Sequence, residues 1–170
     1  MLDQPINGSG VDAPFLVPAE EPAVLESIQT LVHCEPFAVL CTQAGGQPHA
    51  SLVAFAFSED LRSFVFATPV ATRKYRLLSE CGYAALLVDN RSRYPDDVMK
   101  VSAVTVTGQA SQVAPGADFL RWADLLTARH AYLKSFVHSP SNALFRVEVV
   151  RYLHVTRFQE VRQWSPAPDG

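Results

Sequence analysis

The stretch 37-FAVLCTQAGGQPHASLVAFAFSEDLRSFVFAT-68 contains three short apolar runs separated by turn residues. The first run covers 37–42 and is followed by QAGG at 43–46, whose glycines suit a tight chain reversal. The second run covers 49–58, and the third covers 63–67 after a short acidic turn. Runs of this length joined by such short turns predict an antiparallel meander of three strands.

The second of these runs is apolar on both faces. One face carries Val53, Phe55 and Phe57, and the other carries Ala50, Leu52, Ala54 and Ala56. A strand of this kind suits the wall of a small barrel that is packed inside and covered outside.

Helical and extended patterns continue on both sides of the meander. Apolar spacing predicts helices at about 22–33, 72–79 and 117–137. Alternation and β-branched residues predict strands at about 83–89, 103–112 and 143–157. Six strands interrupted by helices in so short a chain predict a mainly β protein with helices, built as a six-stranded antiparallel split β-barrel.

One domain, residues 20–164, accounts for this pattern. The 170-residue chain has a hydrophobic fraction of 48% and a charged fraction of 18%, which is enough apolar sequence for a single core. The proline-rich stretch 1–19 is expected to form a flexible arm, and 165–170 a disordered tail.

The composition also limits the kinds of partner that the protein is expected to bind. The net charge of -3, from 14 basic and 17 acidic residues, gives no reason to expect nucleic acid or a membrane. The apolar runs fall short of the roughly 18–20 residues that span a bilayer. The three cysteines, Cys34, Cys41 and Cys81, show neither CxxC nor zinc spacing, so no metal site is expected. We expect a cytoplasmic protein with reduced thiols, in which Cys41 and Cys81 are small core residues.

The segment 61–79 is basic in a chain that is acidic overall. It holds Arg62, Arg73, Lys74 and Arg76 and no acidic residue. Hydroxyls at Thr68 and Thr72 and the free N–H groups of a helix start could join these cations in a phosphate cradle. Charge alone favours a solvated helix face with ordinary surface arginines, so both interpretations stay open here.

The sequence FVFATPVATRKYRLL at 64–78 resembles the flavin-phosphate segment of the pyridoxamine 5'-phosphate oxidase-like, FMN-binding split-barrel superfamily. The run 37–68, with its Gly-Gly turn and following Pro-His, resembles the opening meander of that superfamily. The resemblance covers about 22–164. It is closest to the branch of haem-utilisation proteins and members of unassigned activity, which share the long helix before the last strand and the V-x-x-F-x-x-V-x-x-W tail at 155–164.

The resemblance implies a homodimer with FMN at the subunit interface. The implied flavin contacts are His49, Ser51 and Leu52 along the ring, Ala67 and Thr68 at its polar edge, and Thr72, Arg73 and Lys74 at the phosphate. Asn90 and Arg91 would approach from the other subunit or close over the ribityl chain, and Trp164 would lie near the ring across the interface.

Two departures argue against vitamin B6 oxidation itself. True pyridoxamine 5'-phosphate oxidases carry an arginine on the second strand, where this chain has 49-HAS-51. Their carboxyl-terminal arginine and histidine motif has no convincing match around 157–164. Flavin binding is not weakened by either departure.

Two classes of function therefore remain. The first is an FMN-dependent oxidoreductase of unknown substrate, with the deazaflavin F420 as an alternative cofactor. The second is a non-catalytic flavin- or haem-binding protein. His130 and His138 could ligate haem iron, but we interpret both as exposed helix residues, and Trp122 as a core residue at helical spacing.

Overall fold

The computed structural model of the protein describes residues 21–157 and 160–166. The predicted arm at 1–19 and most of the predicted tail at 165–170 lie outside the described residues. The helices are α1 (Glu21–Cys34), α2 (Arg73–Glu80), α3 (Ala117–Arg129) and α4 (Lys134–Val137). The strands are β1 (Phe37–Ala44), β2 (Gln47–Ala54), β3 (Ala56–Phe57), β4 (Ser63–Pro69), β5 (Tyr83–Asp89), β6 (Ala103–Gln112), β7 (Asn142–Thr156) and β8 (Glu160–Trp164).

The strands form one curled antiparallel sheet. Their order is β2-β1-β5-β6-β7-β4-β3, and β8 pairs with the long strand β7. The two ends of this order are consecutive in the chain, so β2 and β4 come into contact although no ladder joins them within the described residues. This gap is the split of the barrel, and it leaves backbone groups of two strands unpaired at one place.

The β1–β2 hairpin sets the register of one wall of the split. Gly45 and Gly46 have φ values of 56° and 76°, a left-handed conformation that explains why glycine stands at both turn positions. The register pairs Thr42 with His49 and Leu40 with Ser51. Because paired residues face the same side of a sheet, His49 and Ser51 point to the same face as the buried Leu40.

Two clusters of apolar side chains hold the strands and helices together. The main core fills the barrel, and α1 adds Ile28 and Val32 to it. A second cluster packs Trp122 and Leu126 of α3 against Leu144 on the opposite face of the sheet. The prediction that Trp122 is a core residue is confirmed, since only 6% of it is exposed. Among the described helices, none combines the length and hydrophobicity needed to cross a membrane.

The predicted barrel is confirmed, with two differences in its strands. The predicted strand 49–58 is interrupted at Phe55, whose carbonyl oxygen accepts a hydrogen bond from Nε2 of His130 at 2.9 Å rather than joining a ladder. In addition, 160–164, which was expected to be a tail, forms β8 against the end of β7.

Two predictions about single residues were wrong. The helix predicted over 117–137 ends at Arg129, and His130 is buried beneath it with 3% exposure instead of lying on an exposed face. His138 is exposed, as expected. Cys41 is also exposed, because it lies on the outer face of β1 opposite Ala50, so it is not a core residue.

Candidate cofactor-binding site

The strand β4 and the helix α2 meet at the end of the barrel where the split opens. Thr72 is the N-cap of α2, and its Oγ1 accepts from the backbone N–H of Tyr75 at 3.3 Å. The same hydroxyl donates to the carbonyl of Pro69 at 2.8 Å, and the Oγ1 of Thr68 lies 2.9 Å from it. Both threonine hydroxyls are thus engaged in shaping the turn, which leaves the first backbone N–H groups of α2 as donors for a ligand.

Two of the four cations in the basic segment lie at this turn. Arg73 and Lys74 begin α2, and neither forms an ion pair within the described residues. The other two are placed elsewhere: Arg76 pairs with Glu80 at 3.8 Å, and Arg62 pairs with Asp60 at 3.9 Å at the far end of β4. The structure therefore divides the basic segment into one uncompensated pair and two ordinary surface ion pairs.

Lys74 is the more informative member of the uncompensated pair. Its side chain is half-buried, and this partial removal from water lowers the pKa of its ammonium group. An opposite charge would normally offset that penalty, yet none is provided by the part of the chain that the structure describes. An anion bound beside Lys74 would stabilise the charged form of the amine.

A groove of about 670 Å³ runs along the first two turns of α2. Its lining includes Thr72, Arg73 and Tyr75 at the start of the helix and the ion pair of Arg76 with Glu80 further along, whereas Lys74 does not line it. Tyr75 is a residue that sequence reasoning missed: its ring packs edge-on against Phe145 with centroids 5.8 Å apart, and its hydroxyl lies 3.3 Å from Oε1 of Gln112. The position of Tyr75, three residues after the N-cap Thr72, could have indicated its place in the groove, because residues three apart lie on the same face of a helix.

The other wall of the split is β2. His49 and Ser51 face inward, whereas Leu52 points outward and is 65% exposed. The Oγ of Ser51 is shielded from water and has no hydrogen-bond partner among the described residues. An orphaned hydroxyl at this place suits a ligand with polar edges, since buried hydroxyls are normally hydrogen-bonded.

The last residues of β4 are the remaining predicted contacts on this side of the split. Ala67 is half-buried and pairs with Leu144, and Thr68 is buried and pairs with Ala143. β4 contacts both β2 and α2, so the eight residues predicted on these three elements lie on neighbouring segments. Their side chains do not all face one opening, because Leu52 points outward and Ala67 packs against the cluster of Trp122 on the opposite face of the sheet from Thr68. The other predicted residues on these segments are His49, Ser51, Thr72, Arg73 and Lys74.

Three predicted residues lie elsewhere in the same chain. Asn90 and Arg91 follow β5 at the opposite end of the barrel, where Oδ1 of Asn90 accepts from the N–H of Ser102 at 2.8 Å and Arg91 pairs with Asp89 at 3.2 Å. Trp164 on β8 packs against Tyr152 with ring centroids 5.2 Å apart. One chain does not bring these three residues to the opening between β2 and β4.

The donor set at the opening fits a phosphorylated aromatic cofactor. Arg73 offers a planar guanidinium, and Lys74 offers a compact positive charge. The start of α2 adds backbone N–H groups, and all three kinds of donor suit the oxygens of a phosphate. The orphaned hydroxyl of Ser51 on β2 offers a further polar contact to such a ligand.

Comparisons with known proteins agree with this architecture. The sequence profile described as pyridoxamine 5'-phosphate oxidase matches residues 24–156. Among curated protein sequences, none is a significant match.

Solved structures resemble the fold at low sequence identity. A haem-binding protein from Mycobacterium smegmatis superposes with a TM-score of 0.75 at 18% identity, over 88% of this chain and 60% of that one. The chain thus spans 60% of the length of that protein. The haem storage protein HutZ from Vibrio cholerae gives 0.65 at 15% identity, covering 73% and 88%. An FAD-binding protein from Mesorhizobium loti gives 0.63 at 12% identity, covering 76% and 90%.

Proposed function

Since the chain belongs to the pyridoxamine 5'-phosphate oxidase family, we propose that it binds FMN where β4 meets α2 and acts as a homodimeric flavin-dependent oxidoreductase. The observation that carries this proposal is the pair Arg73 and Lys74, which lacks a carboxylate partner among the described residues. The half-buried amine of Lys74 needs a counter-charge, and the phosphate of FMN supplies one.

The remaining residues of the opening take roles that follow from their positions. His49 and Ser51 face the ring from β2, and Ala67 and Thr68 meet its polar edge from the end of β4. The bound flavin would supply hydride or electron transfer, while the chain supplies orientation and electrostatics. Because β2 ends the sheet, its backbone N–H groups are available to the ring.

A second copy of the chain completes the site in this proposal. The outer face of β1, β2 and β5 carries exposed apolar side chains at Phe37, Leu52 and Tyr83, with exposures of 45%, 65% and 37%. Burial of this face against a partner would cover it. Asn90, Arg91 and Trp164, which are remote from the opening in their own chain, would then reach the flavin of the partner.

The similar structures include both haem and flavin proteins, and two buried histidines are unavailable as haem ligands at the opening. The Nε2 of His130 is committed to the carbonyl of Phe55, and the Nε2 of His154 lies 2.8 Å from the hydroxyl of Ser102. Both rings are buried, so neither reaches a ligand at the opening. Cys34, Cys41 and Cys81 are unpaired thiols, which suits the reducing cytoplasm.

The double variant Arg73→Ala, Lys74→Ala tests the phosphate assignment. Each charge-assisted contact contributes about 1.5–3 kcal/mol, so FMN should dissociate at least about a hundredfold more readily, the equivalent of roughly 3 kcal/mol. The matched control is Arg62→Ala, at the far end of β4 from this turn and paired with Asp60, which should leave the dissociation constant unchanged. Retention of wild-type FMN affinity by a folded double variant contradicts the proposal.

The identity of the cofactor is tested separately on the ligand that co-purifies with the full chain. A mass equal to that of FMN and bleaching by NADH or NADPH support the oxidoreductase. A deazaflavin mass assigns F420 instead. A Soret band assigns haem, and a flavin inert to both reductants assigns a storage or sensing role.

A further inference from the structure

His154 is buried at the end of the barrel that α1 covers. It pairs with Val104 on β6 and with Arg162 on β8, and only 2% of it is exposed. Its Nε2 lies 2.8 Å from Oγ of Ser102, whereas its Nδ1 is shielded and has no hydrogen-bond partner among the described residues. The ring also lines a cavity of about 370 Å³ between α1 and the strand ends.

The charged groups around this ring are already paired with one another. On β8, the guanidinium of Arg162 lies 3.2 Å from Glu160, and its Nε is shielded without a partner in the described chain. Above the cavity, Arg93 from the loop after β5 pairs at 2.9 Å with the buried carboxylate of Glu35. The thiol of Cys34 and the exposed Glu26 line the same cavity from α1. Among the described carboxylates around this cavity, Glu35 and Glu160 are therefore paired with arginines, and Glu26 is exposed to solvent on α1.

A neutral imidazole suits these surroundings and a protonated one does not. Burial, and secondarily the positive charge of Arg162, lower the pKa of His154 from its usual value of about 6.5. A proton on the ring would place a buried cation beside the partly buried guanidinium of Arg162 across the β7–β8 ladder. Of the elements around the ring, β8 would separate first, because it is a five-residue strand whose ladder is made with β7.

We propose that protonation of His154 in mildly acidic solution opens the β7–β8 hairpin and moves Trp164 away from Tyr152. Trp164 and Arg162 are on the same short strand, so displacement of the guanidinium also displaces the indole. If Trp164 contributes to the flavin site of the partner, as the proposed function has it, acid then weakens cofactor binding.

The direction of the pH dependence follows from linkage. The closed hairpin binds the proton less tightly than the open one, so its stability is fully present above about pH 6.5 and is lost as pH falls through the lower pKa of the closed form. The ratio of closed to open hairpin should fall by about tenfold for each unit by which the closed form's pKa lies below about 6.5.

The test follows the indole N–H resonance of Trp164 by NMR in the full chain. The protein has two tryptophans, and Trp164→Phe assigns the signal. The Trp164 resonance should shift as the pH falls below about 6.5, while that of the buried Trp122 should not. In His154→Gln, which keeps a group able to bond to Ser102 but cannot take up the proton, the Trp164 signal should stay constant. The exposed His138→Gln is the matched control and should behave like wild type.

Two results would overturn this inference: a pH-independent Trp164 signal in the wild type, or an unaltered transition in His154→Gln. If His154→Gln does not fold, Arg162→Gln serves instead, because removal of the neighbouring charge should move the midpoint upward, and an unchanged midpoint refutes the coupling. The FMN dissociation constant should rise over the same pH range in the wild type and in His138→Gln, but not in His154→Gln. A chain that binds no FMN at any pH would refute the proposed function, whereas the Trp164 titration would still decide the switch.

Discussion

Replacement of Arg129 by methionine removes the guanidinium that joins the end of α3 to the end of α1. Its Nη2 donates to the carbonyl oxygens of Val32 and Glu35 at 2.6 and 2.7 Å, and to that of His33 at 3.3 Å. These carbonyls belong to the last turn of α1 and the residue after it, where helical partners run out. Arginine at this place therefore acts as a C-cap supplied by another helix.

The same guanidinium lies over two aromatic rings of the interrupted strand. Its central carbon is 4.7 Å from the centroid of Phe55 and 5.1 Å from that of Phe57. Two short hydrogen bonds from the charged guanidinium contribute about 1.5 kcal/mol each, and the stacked cation adds about 1 kcal/mol in a partly desolvated place. Methionine keeps most of the side-chain volume, so the expected loss is about 4 kcal/mol, without a large cavity term.

Urea unfolding of Arg129→Met measures this loss as a lower midpoint at unchanged m-value. Arg121→Met is the matched control, because Arg121 also stacks on an aromatic ring, Trp122 at 4.7 Å. Among the described residues, however, it caps no helix and its ion pair is with the exposed Asp118. The control should lose less than about 1 kcal/mol. A loss in Arg129→Met no larger than in Arg121→Met would refute the capping argument.

Two further predictions concern the barrel and its outer face. Gly108→Ala should destabilise the fold by about 3 kcal/mol or more, because a Cβ there would lie 2.2 Å from the carbonyl oxygen of Glu148, at the register shift between β6 and β7. Urea unfolding measures this loss. A loss under about 1 kcal/mol would contradict the prediction, because it would mean that the two strands can separate locally with little loss of stability. Leu52→Asp should convert a dimer into a monomer in sedimentation experiments, since Leu52 is 65% exposed on the outer face; an intact dimer would remove this face from the interface.

The regular strands were predictable because the alternation of apolar and polar residues along each strand indicates which of its faces is buried. The strands at 83–89 and 103–112 have the predicted bounds, since alternation and β-branched residues act locally. The break at Phe55 could not be predicted in the same way. It depends on His130, a residue 75 positions away whose ring takes over the carbonyl of Phe55.

The candidate site was predictable in part for a similar reason. The cations at the start of α2 stand out as charge in a short segment, and their position beside a helix N-cap follows from the sequence around Thr72. Which of the basic residues lack a partner is a property of the fold, because Arg62 and Arg76 look equivalent to Arg73 until their carboxylates are located. The assignment of all eleven residues to a flavin site stays a prediction, and for Asn90, Arg91 and Trp164 it depends in addition on a second copy of the chain.

The exposed Cys41 shows why an apolar strand does not by itself place a residue in the core. The run 37–42 is apolar on both sides, and only the curl of the sheet decides which side is inside. Alternation identifies two faces of a strand without ranking them when both are apolar.

Comparison of FMN with riboflavin, which lacks only the phosphate, tests the central claim most directly. Titration of the purified full chain, followed by quenching of flavin fluorescence, gives both dissociation constants under one set of conditions. We predict binding of one FMN per chain, with riboflavin bound at least about a hundredfold more weakly because Arg73 and Lys74 lose their anion. Equal affinity for the two flavins, or binding of neither, would contradict the account.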